Sequence, residues 1–127
     1  MRAPRRDGVS AAVQQILSAG DADGAKAARR LRQVVRGIGV DLDERPRPGW
    51  QSLTSHHPQA GYVVGIFPRH GHAQLVVEHG AALDGFDDLF DRFGKQMAAV
   101  IVRDVPDPRG DRIVDVVLAA VAARADR

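Results

Sequence analysis

Two apolar runs decide the fold: Gly61-Tyr62-Val63-Val64-Gly65-Ile66-Phe67-Pro68 and Ala73-Gln74-Leu75-Val76-Val77-Glu78, joined by Arg69-His70-Gly71-His72. Both are short, rich in β-branched residues and bounded by turn formers, which marks strands. The four polar residues between them read as a hairpin connection, so the two strands pair antiparallel. Downstream, Met97 to Arg103 is a further strand, and upstream Gln51 to Ser55 supplies an earlier one. Between the later strands, Phe86, Leu89, Phe90 and Phe93 have the spacing of a short helical turn packed on the sheet.

Helical periods lie outside this block. Ala12, Val13, Ile16 and Leu17 form an apolar stripe over about Val9 to Ala19, with Ser10 as cap and Gly20 as stop. A second helix spans about Asp23 to Arg36, capped by Asp21 or Asp23 and ended by Gly37. Its apolar side is Ala27, Ala28, Leu31, Val34 and Val35, and Lys26, Arg29, Arg30, Arg32 and Arg36 fall opposite. Gly37 to Pro48 reads as loop, because Gly37, Gly39, Pro46 and Pro48 interrupt any period. Val105-Pro106-Asp107-Pro108 is another loop, after which Asp111 to Ala125 is a helix burying Ile113, Val116, Val117, Ala120 and Val121. Helices segregated from hairpin-connected strands predict an α+β fold, an antiparallel β-sheet packed against N-terminal helices and a C-terminal helix. Residues 1–8 read as a disordered basic tail and 9–127 as a single domain.

Composition narrows the chemistry. The 127 residues contain no cysteine, which removes disulfides, thiolate metal sites and a cysteine nucleophile. There is no apolar run long enough to span a membrane and no hydrophobic signal core, so a cytoplasmic protein without a membrane partner is expected. Of 18 basic residues 16 are arginine, a bias that a GC-rich bacterial genome produces by itself. Residues 1–36 carry eight basic and three acidic side chains, and the remainder ten and thirteen. The basic back of the second helix reads as a solvated face, and with only six aromatics in the chain a nucleic-acid partner is not expected. Gly-x-Ser-x-Gly, Walker and dinucleotide patterns are absent, so no nucleophile and base can be paired and an enzyme is the least supported class.

Three groups of residues remain as candidates. His70 and His72, two apart, share one face of an extended segment and are candidate metal ligands; they equally make a polar hairpin tip. Asp84, Asp87, Asp88 and Asp91 offer the clustered oxygens that iron or another hard cation needs, and equally a solvated acidic edge. Apart from such an ion no cofactor is expected. The sole Trp50, the sole Tyr62, His72 and Lys95 stand at strand or loop ends and are the candidate ligand-binding set. They point to a non-enzymatic module that binds a small ligand in a concavity on or beside the sheet face not covered by helices. Metal handling and a homodimer formed through a sheet edge are the alternatives.

Gly49-Trp50, Tyr62 to Pro68, His79-Gly80-Ala81-Ala82-Leu83, Gly94-Lys95-Gln96-Met97 and a closing helix occur in an order that resembles the YdhG-like family, the domain of unknown function numbered 1801. The resemblance covers about Ala11 to Ala122 and implies a compact α+β domain with an antiparallel sheet against terminal helices. The family's distant likeness to frataxin implies iron handling for the acidic and histidine clusters. Asp84-Gly85-Phe86 replaces the family's usual Asp-Pro, Arg92 stands where a glycine is common, and Ala98 stands where an arginine often follows Gly-Lys. An anion-binding role carried by that arginine therefore does not transfer, and Lys95 is left alone.

Overall fold

The computed structural model describes residues 10–103 and 109–125. The expected tail over residues 1–8 and the whole of the 105–108 loop therefore lie outside the described residues. Helix α1 (Ala11–Leu17) starts where expected, with the Ser10 hydroxyl accepting from the Val13 N–H at 3.2 Å. Helix α2 (Ala22–Arg36) is capped by Asp21, whose carboxylate accepts from the Gly24 N–H at 2.8 Å. Strands β1 (Asp43–Arg47), β2 (Ser52–His57), β3 (Gly61–Pro68), β4 (Ala73–Val77), β5 (Arg92–Phe93) and β6 (Ala98–Val102) precede helix α3 (Gly110–Ala125). They form one antiparallel sheet in the order β1-β2-β3-β4-β6-β5. The α+β fold read from the sequence is the fold observed.

Pleating assigns the two faces. Leu53, Val64, Ile66, Leu75, Val77, Ala98, Val100 and Val102 are buried in one cluster with Ile16 and Leu17 of α1, Leu31 and Val35 of α2, and Ile113 and Val116 of α3. All three helices thus cover the same face. Each fully enclosed aliphatic side chain contributes about 1.5–3 kcal/mol on transfer from water, which makes this layer the main source of stability. The register shifts by one residue between Ser55 and His56. As a result both Val63 and Val64 turn into the core, and Tyr62 is carried to the opposite, helix-free face. There its ring lies over Gly65, where a Cβ would stand 2.7 Å from the Tyr62 hydroxyl oxygen and 3.1 Å from the Phe67 ring. Glycine at this position makes the close approach of the ring to the sheet sterically feasible.

Three sequence expectations are corrected. Residues 43–47, inside the expected 37–48 loop, form edge strand β1, because Pro46 can sit on an edge where a missing N–H is tolerated. The segment 86–93 is not a helical turn. Leu89 and Phe90 are buried, but Gly85 has φ +86°, the chain turns twice, and Arg92–Phe93 pairs with β6 while Phe93 is 53% exposed. Arg32 belongs to the buried side of α2 rather than its solvated back. Its guanidinium meets the Glu44 carboxylate of β1 through two bonds of 2.8 and 2.9 Å.

The two outer edges of the sheet are closed differently. Edge strand β1 presents charged residues and Pro46. At the other edge β5 covers only Ala98 and Ala99. Beyond it the Asp91 carboxylate accepts from the Ile101 N–H at 2.7 Å and Arg109 donates to the Ile101 carbonyl. Asp91 and Arg109 also pair at 2.9 Å, so two side chains take the place of the missing strand.

Candidate functional site

Strand direction places the candidate ligand-binding residues at opposite ends of the sheet. Trp50, in the short 3-10 turn Pro48–Trp50 between β1 and β2, and His72, in the β3–β4 hairpin, stand at one end. Tyr62, the second residue of β3, lies at the other end, and so does Lys95, exposed in the turn from β5 to β6. Three strand positions and a strand length separate Trp50 from Lys95, on the order of 20 Å. The four residues therefore do not line one concavity, which corrects that expectation. The end that holds Trp50 and the hairpin does form a recess.

This recess has a volume of about 340 Å³ and lies between the Trp50 turn, the β3–β4 hairpin and the corner joining α1 to α2. Trp50, Arg69 and His70 line it with Pro68, Gln51 and Gly20. Trp50 is 60% exposed, the most exposed large apolar residue of the described chain. It is followed by Gln51, a non-glycine residue in the left-handed region at φ 52°. Such a conformation costs of order 1 kcal/mol, and it persists here in the turn that presents the indole. The wall opposite is fixed by one carboxylate: Asp21 Oδ1 accepts from Gly71 of the hairpin at 2.9 Å as well as from Gly24 of α2. Both bonds hold the Asp21 carboxyl below the ordinary range, Gly71 contributing most. Gly24 packs directly against the Arg69 carbonyl oxygen, so a side chain there would push hairpin and helix apart.

Arg47 and Arg69 escaped sequence reasoning. The Arg47 guanidinium lies 5.9 Å from the centroid of the Trp50 ring, and its Nε donates to the Thr54 hydroxyl at 3.3 Å. Arg69 lies 5.2 Å from the Phe67 centroid and donates to the Pro68 carbonyl. Neither is within ion-pair reach of a carboxylate among the described residues, in contrast to Arg32, Arg36, Arg45, Arg109 and Arg112. A strand-end arginine one turn from the sole tryptophan was the signal available, and the general abundance of arginine obscured it.

The helix-free face continues this polar track. The Thr54 hydroxyl donates to the Arg45 carbonyl and stands 3.0 Å from Nε2 of His56, a geometry that favours the Nε2–H tautomer. His56 stacks on Tyr62 with ring centroids 5.5 Å apart. Burial, then the charges of Arg45 and Arg47, lower the His56 pKa, so the imidazole is neutral at pH 7. Burial, reinforced by Glu78, pushes the Tyr62 phenol up to about 12. Tyr62 and His56 thus form a neutral stacked pair, with His56 tied to Thr54.

The acidic candidates are engaged elsewhere. Asp88 receives both terminal nitrogens of Arg112, at 3.0 and 3.1 Å, and this lowers its pKa. For Asp91, burial alone would raise the pKa, but the Ile101 N–H and Arg109 outweigh it and the net direction is downward. Asp84 and Asp87 lie exposed in the turns before them. In the hairpin, Nδ1 of His70 stands 3.9 Å from Asp21, and Nδ1 of His72 faces the His70 carbonyl at 3.1 Å. Among the described residues no three histidine or carboxylate groups converge as a metal site would require. No described helix is long and apolar enough to cross a membrane.

No protein-family model matches the chain, and neither a curated protein nor a solved structure does.

Proposed function

We propose that the protein is a non-enzymatic binding module of YdhG-like type, whose site for a small ligand is the recess at Trp50. The observation that carries this reading is the exposed indole on a strained turn, facing a pinned hairpin across about 340 Å³. That volume lies at the lower end of the roughly 300–1,000 Å³ of small-molecule clefts. An apolar ring more than half exposed adds little to the fold, whereas a ligand that covers it recovers the hydrophobic contribution. Of the four residues singled out in the sequence, Trp50 belongs to this site, His72 supports its wall, and Tyr62 and Lys95 fall outside it.

A thermal-shift screen against metabolites, ferrous iron, zinc and manganese tests the reading. A ligand that raises the melting temperature of the wild type, and not of Trp50→Ala, supports it, because binding to the native state alone is stabilising. A screen in which no compound moves the melting temperature overturns it.

A further inference from the structure

Two features of the recess define a ligand class more narrowly, on the assumption that the recess is the binding site proposed above. The first is the pairing of rings with guanidinium groups. Of the described arginines without a carboxylate partner, Arg47 and Arg69 are the two that lie over aromatic rings, and both stand at the Trp50 end of the sheet. The second is the sign of the site. Among the described residues, Arg69 and His70 line the recess and no carboxylate does. Asp21, which pins the hairpin wall, is engaged by the Gly24 and Gly71 N–H groups.

An exposed indole offers a face on which a flat heteroaromatic ring stacks, an interaction worth about 1–3 kcal/mol for a nucleobase. A guanidinium without a carboxylate offers a planar fork that matches phosphate oxygens. Arg47, already against the indole, adds a positive charge beside a stacked ring, and Arg69 across the recess supplies a second cation. A neutral sugar could lay its C–H face on the ring but would leave both charges unused, and a metal ion would be repelled by both arginines. A planar ring joined to a phosphate uses all of them.

We propose that the Trp50 recess binds a nucleotide unit, with the base stacked on Trp50 beside Arg47 and the phosphate held by Arg69. The same chemistry is presented by a free mononucleotide and by an unpaired nucleotide of a single strand. The recess accepts one unit, and the helix-free face beside it, with Phe67 and the Arg45–His56–Tyr62 track, gives a strand a path to follow.

The experiment uses the full chain and calorimetry with adenosine 5′-monophosphate, adenosine, inorganic phosphate and a short oligothymidylate, each at two salt concentrations. Quenching of the single tryptophan gives an independent signal in the wild type. Adenosine is expected to bind about tenfold more weakly than its monophosphate, the loss of one charge-assisted contact. Trp50→Ala removes binding, Trp50→Phe retains part of it, and Arg69→Gln brings the monophosphate down to the affinity of adenosine. Saturable binding of the monophosphate identifies a free nucleotide as the source. Binding of the oligonucleotide alone, falling steeply with salt, identifies a single strand. Absence of binding by both overturns the inference, as does binding that Trp50→Ala and Arg69→Gln leave unchanged. A melting-temperature shift with some other ligand that Trp50→Ala abolishes would then leave the recess a binding site for a different chemical class. Circular dichroism of each variant separates these outcomes from misfolding, since Trp50 makes little contribution to the core.

Discussion

Arginine is used in opposite ways in two regions of this molecule. Where the 84–93 segment meets α3, Arg112 grips Asp88 and Arg109 grips Asp91, so each positive charge closes a piece of surface. At the Trp50 end, Arg47 and Arg69 lie on rings with no carboxylate in reach among the described residues. The residue type is the same and the local geometry differs, so arginine content says little about a surface, whereas the partner of each guanidinium says much. Paired groups hold the chain together. Unpaired ones over aromatic rings remain available to something else.

This contrast can be broken most directly at its enclosed extreme. The Arg32–Glu44 pair is nearly closed off from water, with side chains 10% and 14% exposed. Arg32→Ala leaves the Glu44 carboxylate without its bidentate partner and is expected to cost about 3 kcal/mol in denaturant unfolding. A loss no larger than that of a surface substitution would show that pairing does not carry the distinction drawn here.

Asp91 comes next. Asp91→Asn removes the charge from two hydrogen bonds at a half-open edge and should cost about 1–2 kcal/mol at pH 7, discounted for exposure. The sign of its pH dependence follows from the lowered pKa of Asp91. A depressed carboxyl contributes fully above its unfolded value of about 3.9 and loses that contribution as pH falls through the folded value. The stability gap between wild type and Asp91→Asn should therefore persist at neutral pH and close below about pH 4. A gap that widens on acidification would contradict the hydrogen-bond geometry.

On the unpaired side, Arg47→Gln and Arg69→Gln should each change stability by less than about 0.5 kcal/mol, as surface substitutions do. If either destabilised as much as Arg32→Ala, these groups would count as structural. The smallest effect is expected at Ser52, whose hydroxyl is buried without a hydrogen-bond partner among the described residues. Ser52→Ala should be neutral or slightly stabilising in the same assay, because it removes an unsatisfied polar atom.

Elements with strong periods were legible in the sequence. The hairpin of β3 and β4, the Ser10 cap, and the buried stripe of α3 appear at the expected residues. Edge strand β1 was not legible, since Asp43 to Arg47 contains one proline and no apolar alternation; its pairing comes from β2. The 86–93 segment misled because its apolar spacing fits one helical turn, while long-range contacts to Ile101 and Arg112 decide the backbone. For the site, the value of Trp50 was visible from its rarity. Which residues it would meet was not, because the β1–β2 turn, the hairpin and the α1–α2 corner are brought together only by the tertiary fold. Tyr62 and Lys95 were grouped with it on rarity alone, and strand direction separated them.

The Asp91–Arg109 staple has a consequence for synthesis. Arg109 leaves the ribosome after every strand of the sheet has been made, yet it closes the β6 edge at Ile101. Until α3 docks, that edge offers its N–H and C=O groups to any neighbouring chain, the situation in which nascent proteins associate. The docking of α3 is thus also the moment at which the β6 edge closes, and a chain cut before Arg109 would have its core strands but an open edge.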